Sequence, residues 1–173
     1  MYDSSVLLNL LAADCLRELA ETGEWEFAIC AAVHAESKKL RDPETLEMVA
    51  VDTQPLIDDG ILQLMDVEGA KEESLYLEQA KIVDDGEAMA IAIAAQRRFE
   101  LAIDDKRASN HTKRTFPEIS LWTTPEILKN WSESESVNET RLAKIVELIR
   151  VRARYHPPKS HPLYEWWMDL FAQ

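Results

Sequence analysis

Cysteine is scarce: the 173 residues hold two, Cys15 and Cys30, and they form no CxxC pair. Nothing here calls for a disulfide framework, and buried thiols in a reducing compartment are the expectation. No apolar run approaches the ~18 to 20 residues of a membrane span, so no membrane-spanning helix is expected. The opening "MYDSSVLLNLLAAD" has no basic stretch ahead of its apolar one. That leaves no signal peptide to read and makes the cytoplasm the expected location. Tandem repeats and low-complexity tracts are missing too. The four histidines, His34, His111, His156 and His161, stand at no spacing that a metal site would use.

Positive charge is also in short supply. The net charge of −13 argues against broad attraction to nucleic acid. The charge is unevenly spread, however. Residues 1–96 carry 6 Lys or Arg against 21 Asp or Glu, whereas residues 97–173 carry 13 against 11. Arg97, Arg98, Lys106, Arg107, Lys113 and Arg114 flank an Asp104-Asp105 pair, and Arg141, Lys144, Arg150, Arg152 and Arg154 share one expected helix. The flanking cations suit a solvated surface, or contacts to phosphates.

What is present is a regular alternation of strand and helix signals. Met1-Tyr2 reads as a strand tail, then Ser4 or Ser5 caps a helix from Val6, and Cys15 to Thr22 is helical until Gly23. "EFAIC" reads as a strand and "AAVHAESKKL" as a helix with Val33, Glu36 and Leu40 in phase. A helix then starts at Asp42-Pro43 and runs to about Asp59, interrupted by Pro55. "ILQLMDV" is a strand, "AKEESLYLEQAKI" and "DGEAMAIAIAAQRR" are helices, and "ELAID" is a buried strand. "DKRASNHTKR" is a short helix, and "EISLWTT" a last strand leading into "PEILKNW". "SESESVNE" reads as a solvated linker before helices at roughly 139–154 and 163–171. The Val146/Ile149 stripe suits a core or a dimer seam, and Trp166, Trp167 and Phe171 are expected to pack on the domain. Such alternation implies right-handed crossovers, a central mainly parallel sheet, and a three-layer α/β/α sandwich.

Chemistry in open parallel sheets sits beyond the carboxyl ends of the strands. Asp3, Glu36, Glu87 and Asp105 or Asp104 all reach that edge in this topology. Crowded carboxylates repel one another unless a cation lies between them. Hard oxygen ligands suit Mg²⁺ or Mn²⁺, which can ionise a water and offset charge on a phosphate. Singly the acids have plainer readings. Asp3 can be a strand-end cap, Glu36 a solvated helix residue, Glu87 a first-turn acid favoured by the helix dipole, and Asp84 and Asp85 caps.

"YDSSVLLNLL", "AAVHAESKKL", "GEAMAIAIA" and "LAIDDKRA", in that order, resemble the four acid-bearing motifs of a PIN domain, the fold of VapC-type toxin ribonucleases. The resemblance runs from residue 1 to about 132, leaving 133–173 as a C-terminal helical extension packed on the domain or used in assembly. It implies catalytic roles for Asp3, Glu36, Glu87 and Asp105, and metal ligation by Asp3, Glu87, Asp104 and Asp105. Ser4 or Ser5 would orient Asp3, and Thr124 would supply a nearby hydroxyl. It further implies an Mg²⁺- or Mn²⁺-dependent ribonuclease that uses a metal-activated water. RNA would be its substrate, a cognate antitoxin and a second copy its protein partners, and a membrane none. Two rivals share the motifs: a PIN-like scaffold that binds RNA or protein without cleaving, and a metal-dependent phosphohydrolase of small phosphates.

Overall fold

Short apolar blocks form the strands and the stretches between them the helices, in a computed structural model that describes residues 1–23, 25–36, 38–134 and 137–171. In chain order the elements are α1 (Ser4–Ala12), α2 (Leu16–Glu21), β1 (Phe27–Cys30), α3 (Ala31–Ala35), β2 (Lys39–Arg41), β3 (Met48–Ala50), α4 (Gln54–Asp58) and β4 (Leu62–Met65). There follow α5 (Gly69–Gln79), α6 (Asp85–Arg97), β5 (Leu101–Ala102), α7 (Lys106–Thr115), β6 (Leu121–Trp122), α8 (Thr124–Ser134), α9 (Glu139–Leu148) and α10 (Tyr164–Asp169). The fold is α/β. The chain divides into two compact units. One is Met1–Leu7, Glu26–Glu36 and Asp52–Thr123; the other is Leu8–Trp25, Ser37–Val51 and Thr124–Gln173.

In the first unit the strand pairs are parallel. β1 lies along β4 from Phe27↔Leu62 to Cys30↔Met65, and β5 along β6 at Leu101↔Leu121 and Ala102↔Trp122. Met1 to Asp3 join the two pairs. Tyr2 N–H donates to the Ala28 carbonyl at 2.8 Å, Asp3 N–H donates to that of Ala102 at 2.9 Å, and Tyr2 and Ala102 form a parallel bridge. Tyr2 also stacks on Phe27, ring centroids 4.8 Å apart. The core holds Phe27, Ile29, Leu62, Ile91, Ile93, Leu101 and Ile103.

α6 is buried from Ala88 through Ala94. Its alanines explain how: they carry little bulk, so β1, β5, α3 and α5 can all approach the one helix. An ion pair closes its far end. Arg97 donates from Nε and Nη2 to the two oxygens of Glu72 on α5, each at 2.8 Å, and from Nη2 to the Asp66 carbonyl. Arg97 is therefore structural, which corrects its reading as part of a solvated or phosphate-facing flank. Arg98 ends the helix in the left-handed region, φ 59°.

The second unit gathers Leu10, Leu19, Trp131, Leu142, Ile145, Val146, Ile149 and Trp167 into a core. The Val146/Ile149 stripe belongs to it. Ile149–Ala153 prolongs α9 as a π-helical turn. Arg152 donates to the Ala12 carbonyl and to Asp14, and Arg141 pairs with Glu18. These two arginines are thus held by local acceptors.

Several local expectations are corrected. The helix predicted across 31–40 stops at Ala35, and Glu36 is already extended, ψ 140°. Residues 39–41 pair instead with 48–50 as an antiparallel hairpin, Leu40 opposite Val49. A helix of one turn has no stability of its own, so strand pairing downstream decides the boundary. The helix predicted over 42–59 is likewise replaced by that hairpin and α4. The Asp42 carboxylate accepts from the N–H groups of Glu44 and Thr45 at 2.9 and 2.8 Å, a turn that competes with helix. Pro55 then falls in the first turn of α4, where proline is tolerated. Neither serine hydroxyl caps α1, because the Asp3 carboxyl takes that place. The linker expected over 132–139 starts later, since Ser132, Glu133 and Ser134 complete α8; Glu135 and Ser136 lie outside the described residues.

Candidate functional site

Asp3 and the Asp104-Asp105 pair sit where the chain leaves a strand for a helix, Glu36 follows the end of α3, and Glu87 lies in the first turn of α6. Asp3, Glu87 and Asp105 each take part in a helix start. Asp3 follows the sheet-bound Tyr2 and is 4% exposed. Its Oδ2 accepts from Ser5 Oγ at 2.6 Å and Ser5 N at 3.3 Å, while its carbonyl accepts from Leu7 N–H as α1 begins. Ser5 supplies the hydroxyl; Ser4 contributes its backbone N–H. Burial raises the Asp3 pKa, the serine bonds oppose that rise, and the charge of Asp104 adds to it.

Glu87 stands at the third position of α6 in a capping box. Its Oε2 accepts from Asp84 N–H at 3.2 Å, and the Asp84 carboxyl accepts the backbone N–H of Glu87 in return. Glu87 is half-buried. Burial, then the charge on Asp3, holds its pKa up at about 7, with Asp105 and Asp84 contributing further. Asp104 and Asp105 follow β5. Asp105 is exposed and caps α7, Oδ1 accepting from Ala108 N–H at 2.8 Å; Asp104 is half-buried. Glu36 leaves α3 exposed, and its carboxyl lies against Gly86 in the first turn of α6.

Asp3, Glu87, Asp104 and Asp105 thus come from three separate segments and act on one another electrostatically, with Glu36 from a fourth segment beside them. Thr124 is placed in the second unit, buried, with its hydroxyl accepting from Asn9 Nδ2 at 3.1 Å. Two residues next to the acids were not expected there, although Cys30 was expected to be a buried thiol and is one. Cys30, at the end of β1, donates from Sγ to the Gly86 carbonyl at 3.5 Å. Burial pushes its thiol up to about 11, so it is inert. Gly86 itself could have been noticed as a glycine inside a helix of strong formers.

The donor set is all carboxylate, the chemistry of a hard divalent cation. Burial first, and their neighbours' charge after it, raises the pKa of Asp3 and Glu87, and a cation would offset both costs. Their oxygens are not gathered on a point: among the described residues, no group of three or more His, Cys, Asp or Glu is arranged to hold a metal ion. Capping engages one oxygen each of Asp105 and Glu87, and a carboxylate has about four acceptor positions, so capacity remains.

The first unit thus combines parallel strand pairs with carboxyls, from separate segments, that feel one another's charge. A protein-family model described as a PIN domain matches residues 1–160, and the chain belongs to the PIN-domain family. The match extends past residue 132 into the C-terminal segment. Proteins of this family have a nuclease-type fold and are typically hydrolases that use divalent metals. No curated protein and no solved structure matches the chain. Among the described residues, no helix is long and apolar enough to cross a membrane.

Proposed function

We propose that the protein is an Mg²⁺- or Mn²⁺-dependent ribonuclease. One observation carries this: the carboxyls of Asp3, Glu87, Asp104 and Asp105, from three separate segments of the first unit, lie near enough to feel one another's charge, and burial and then that charge raise the pKa of Asp3 and Glu87. Asp3, Glu87, Asp104 and Asp105 are the residues that would hold the ion, with Glu36 beside them. When bound, such an ion makes a water nucleophilic at neutral pH and offsets charge on the phosphate oxygens. Ser5 keeps the Asp3 carboxyl in one orientation. The capping bonds to Asp84 and Ala108 hold Glu87 and Asp105 at fixed helix starts.

RNA is supported as substrate by α7, which starts directly after Asp105. Its buried side, Ala108, His111 and Thr112, is anchored by a 2.6 Å bond between His111 Nε2 and Gln79 Oε1. The opposite side exposes Lys106, Arg107, Asn110, Lys113 and Arg114 with no acid within the helix. Lys113 and Arg114 favour the helix's carbonyl end, but Lys106 and Arg107 oppose the dipole at its start, at a cost of about 0.3–1 kcal/mol each. Arg107 donates to the Ile82 carbonyl, which accounts for that one. Lys106 has no such contact among the described residues, and an RNA phosphate near that helix start would supply one. We further place the protein in the cytoplasm as the toxin half of a toxin–antitoxin pair, with an antitoxin protein and a second copy as partners, on the strength of the motif resemblance.

The test is cleavage of a structured RNA with Mg²⁺ or Mn²⁺ supplied. Activity should fall at least ~100-fold in Asp3→Asn and in Asp105→Asn; full activity in both variants would reject the site. A second reading, an RNA- or protein-binding scaffold, is favoured by the ungathered donors. RNA binding with no turnover in either metal would establish it.

A further inference from the structure

The first turn of α6 carries a glycine that the helix does not need. Gly86 is buried, and its φ lies outside the left-handed region, so conformational freedom is not its purpose. The next residues, Glu87-Ala88-Met89-Ala90, are good helix formers, and alanine would serve the helix better at 86 as well. Space is the reason for the glycine. A Cβ on residue 86 would lie 2.5 Å from Glu36 Oε1 and 3.1 Å from Val33 Cγ2. The first distance is far inside van der Waals contact, and the second is tight. On the strand side, Cys30 Sγ sits 3.5 Å from the Gly86 carbonyl, so the turn has β1 against it and little room to retreat.

We propose that Gly86 is a positioning residue for Glu36. Its missing side chain is the gap in which the Glu36 carboxyl rests, one residue from Glu87. α3 is a single turn and releases the chain at Glu36, so α3 alone cannot aim that carboxyl. The seat on α6 takes part in aiming it. A methyl group at 86 cannot share that space with the Glu36 carboxyl, so the end of Glu36 must move, while Val33 gives by a few tenths of an ångström. The consequence for metal binding rests on the ribonuclease reading above; the steric coupling does not.

The experiment compares native protein, Gly86→Ala, Glu36→Gln and the double variant, with Mn²⁺ affinity from calorimetric titration and carboxyl ¹³C resonances from NMR. Gly86→Ala should weaken Mn²⁺ binding about 10-fold, in the range for loss of a group that supports the ligands, the place Glu36 holds beside them. Glu36→Gln should do the same, and the double variant should lose no more than either. The Glu36 carboxyl resonance should move in Gly86→Ala while the melting temperature shows a folded protein. Equal further loss when Gly86→Ala is added to Glu36→Gln would overturn the proposal, because residue 86 would then act by another route. So would an unmoved Glu36 resonance. Native protein that binds no Mn²⁺, yet shows the moved resonance, would reject the metal reading and keep the seat. If Gly86→Ala does not fold, the same comparison is run with Val33→Ala added, which removes the 3.1 Å contact and leaves that with Glu36.

Discussion

Asp3 is buried, Glu87 and Asp104 are half-buried, and Glu36 and Asp105 are exposed. This gradient of solvent access divides the work. Asp3 and Glu87 carry the strain of like charge away from water, and the outer acids meet whatever approaches from solvent. Glu87 has a pKa of about 7 in the folded chain against an ordinary 4.5. Between those pH values the folded chain keeps a proton that the unfolded chain gives up. The resulting stabilisation is complete below about pH 4.5 and is lost as pH rises through about 7. The raised pKa of Asp3 works in the same direction. The melting temperature of metal-free protein should therefore fall over this interval, Glu87→Gln should flatten the fall, and saturating Mg²⁺ should reduce it. An identical slope in Glu87→Gln would remove Glu87 from the account. At this scale the sequence was informative, since each acid stands in a short motif at a strand or helix end. It could not distinguish capping from ligation, because both uses place a carboxyl at a helix start.

Among the elements, α7 and the α5–α6 clamp make opposite predictions for superficially similar cations. Lys113→Glu with Arg114→Glu should weaken RNA binding and lower the slope of log affinity against log salt by about 0.7 for each phosphate that these residues neutralise. The melting temperature should fall only slightly, through the helix dipole. Salt-independent RNA binding in that variant and in the native protein alike would show that α7 makes no phosphate contacts. Arg97→Ala should leave RNA affinity unchanged and cost about 1–3 kcal/mol of stability by leaving the Glu72 carboxylate unpaired; denaturant unfolding measures it. Glu72 is held below its usual pKa by the Arg97 hydrogen bonds, which shows the clamp is formed. Helices with strong patterns, α5 and α6, were legible from sequence. The segment from Glu36 to Asp59 was not, because its outcome depended on an Asp42 turn and on pairing across the hairpin, both invisible to periodicity.

Over the whole molecule, the charge is −15 in residues 1–96 and +2 in 97–173. The acidic part supplies Asp3, Glu36 and Glu87, and the later part supplies Asp104, Asp105 and α7. On the proposed reading, a polyanion would meet repulsion that a bound cation and the α7 face would offset. RNA affinity should accordingly rise with Mg²⁺ at constant ionic strength, as filter binding with Asp105→Asn under non-cleaving conditions would show; a fall would contradict that balance. The α/β class was readable from alternation alone, whereas the division of the chain into two units came from long-range packing that no local window contains. The most direct measurement is anomalous diffraction from crystals soaked in Mn²⁺. The account predicts a peak bounded by Asp3, Glu87 and Asp104 or Asp105. A fully soaked crystal with Mn²⁺ elsewhere, and these carboxyls still occupied only with their helix caps, would contradict it.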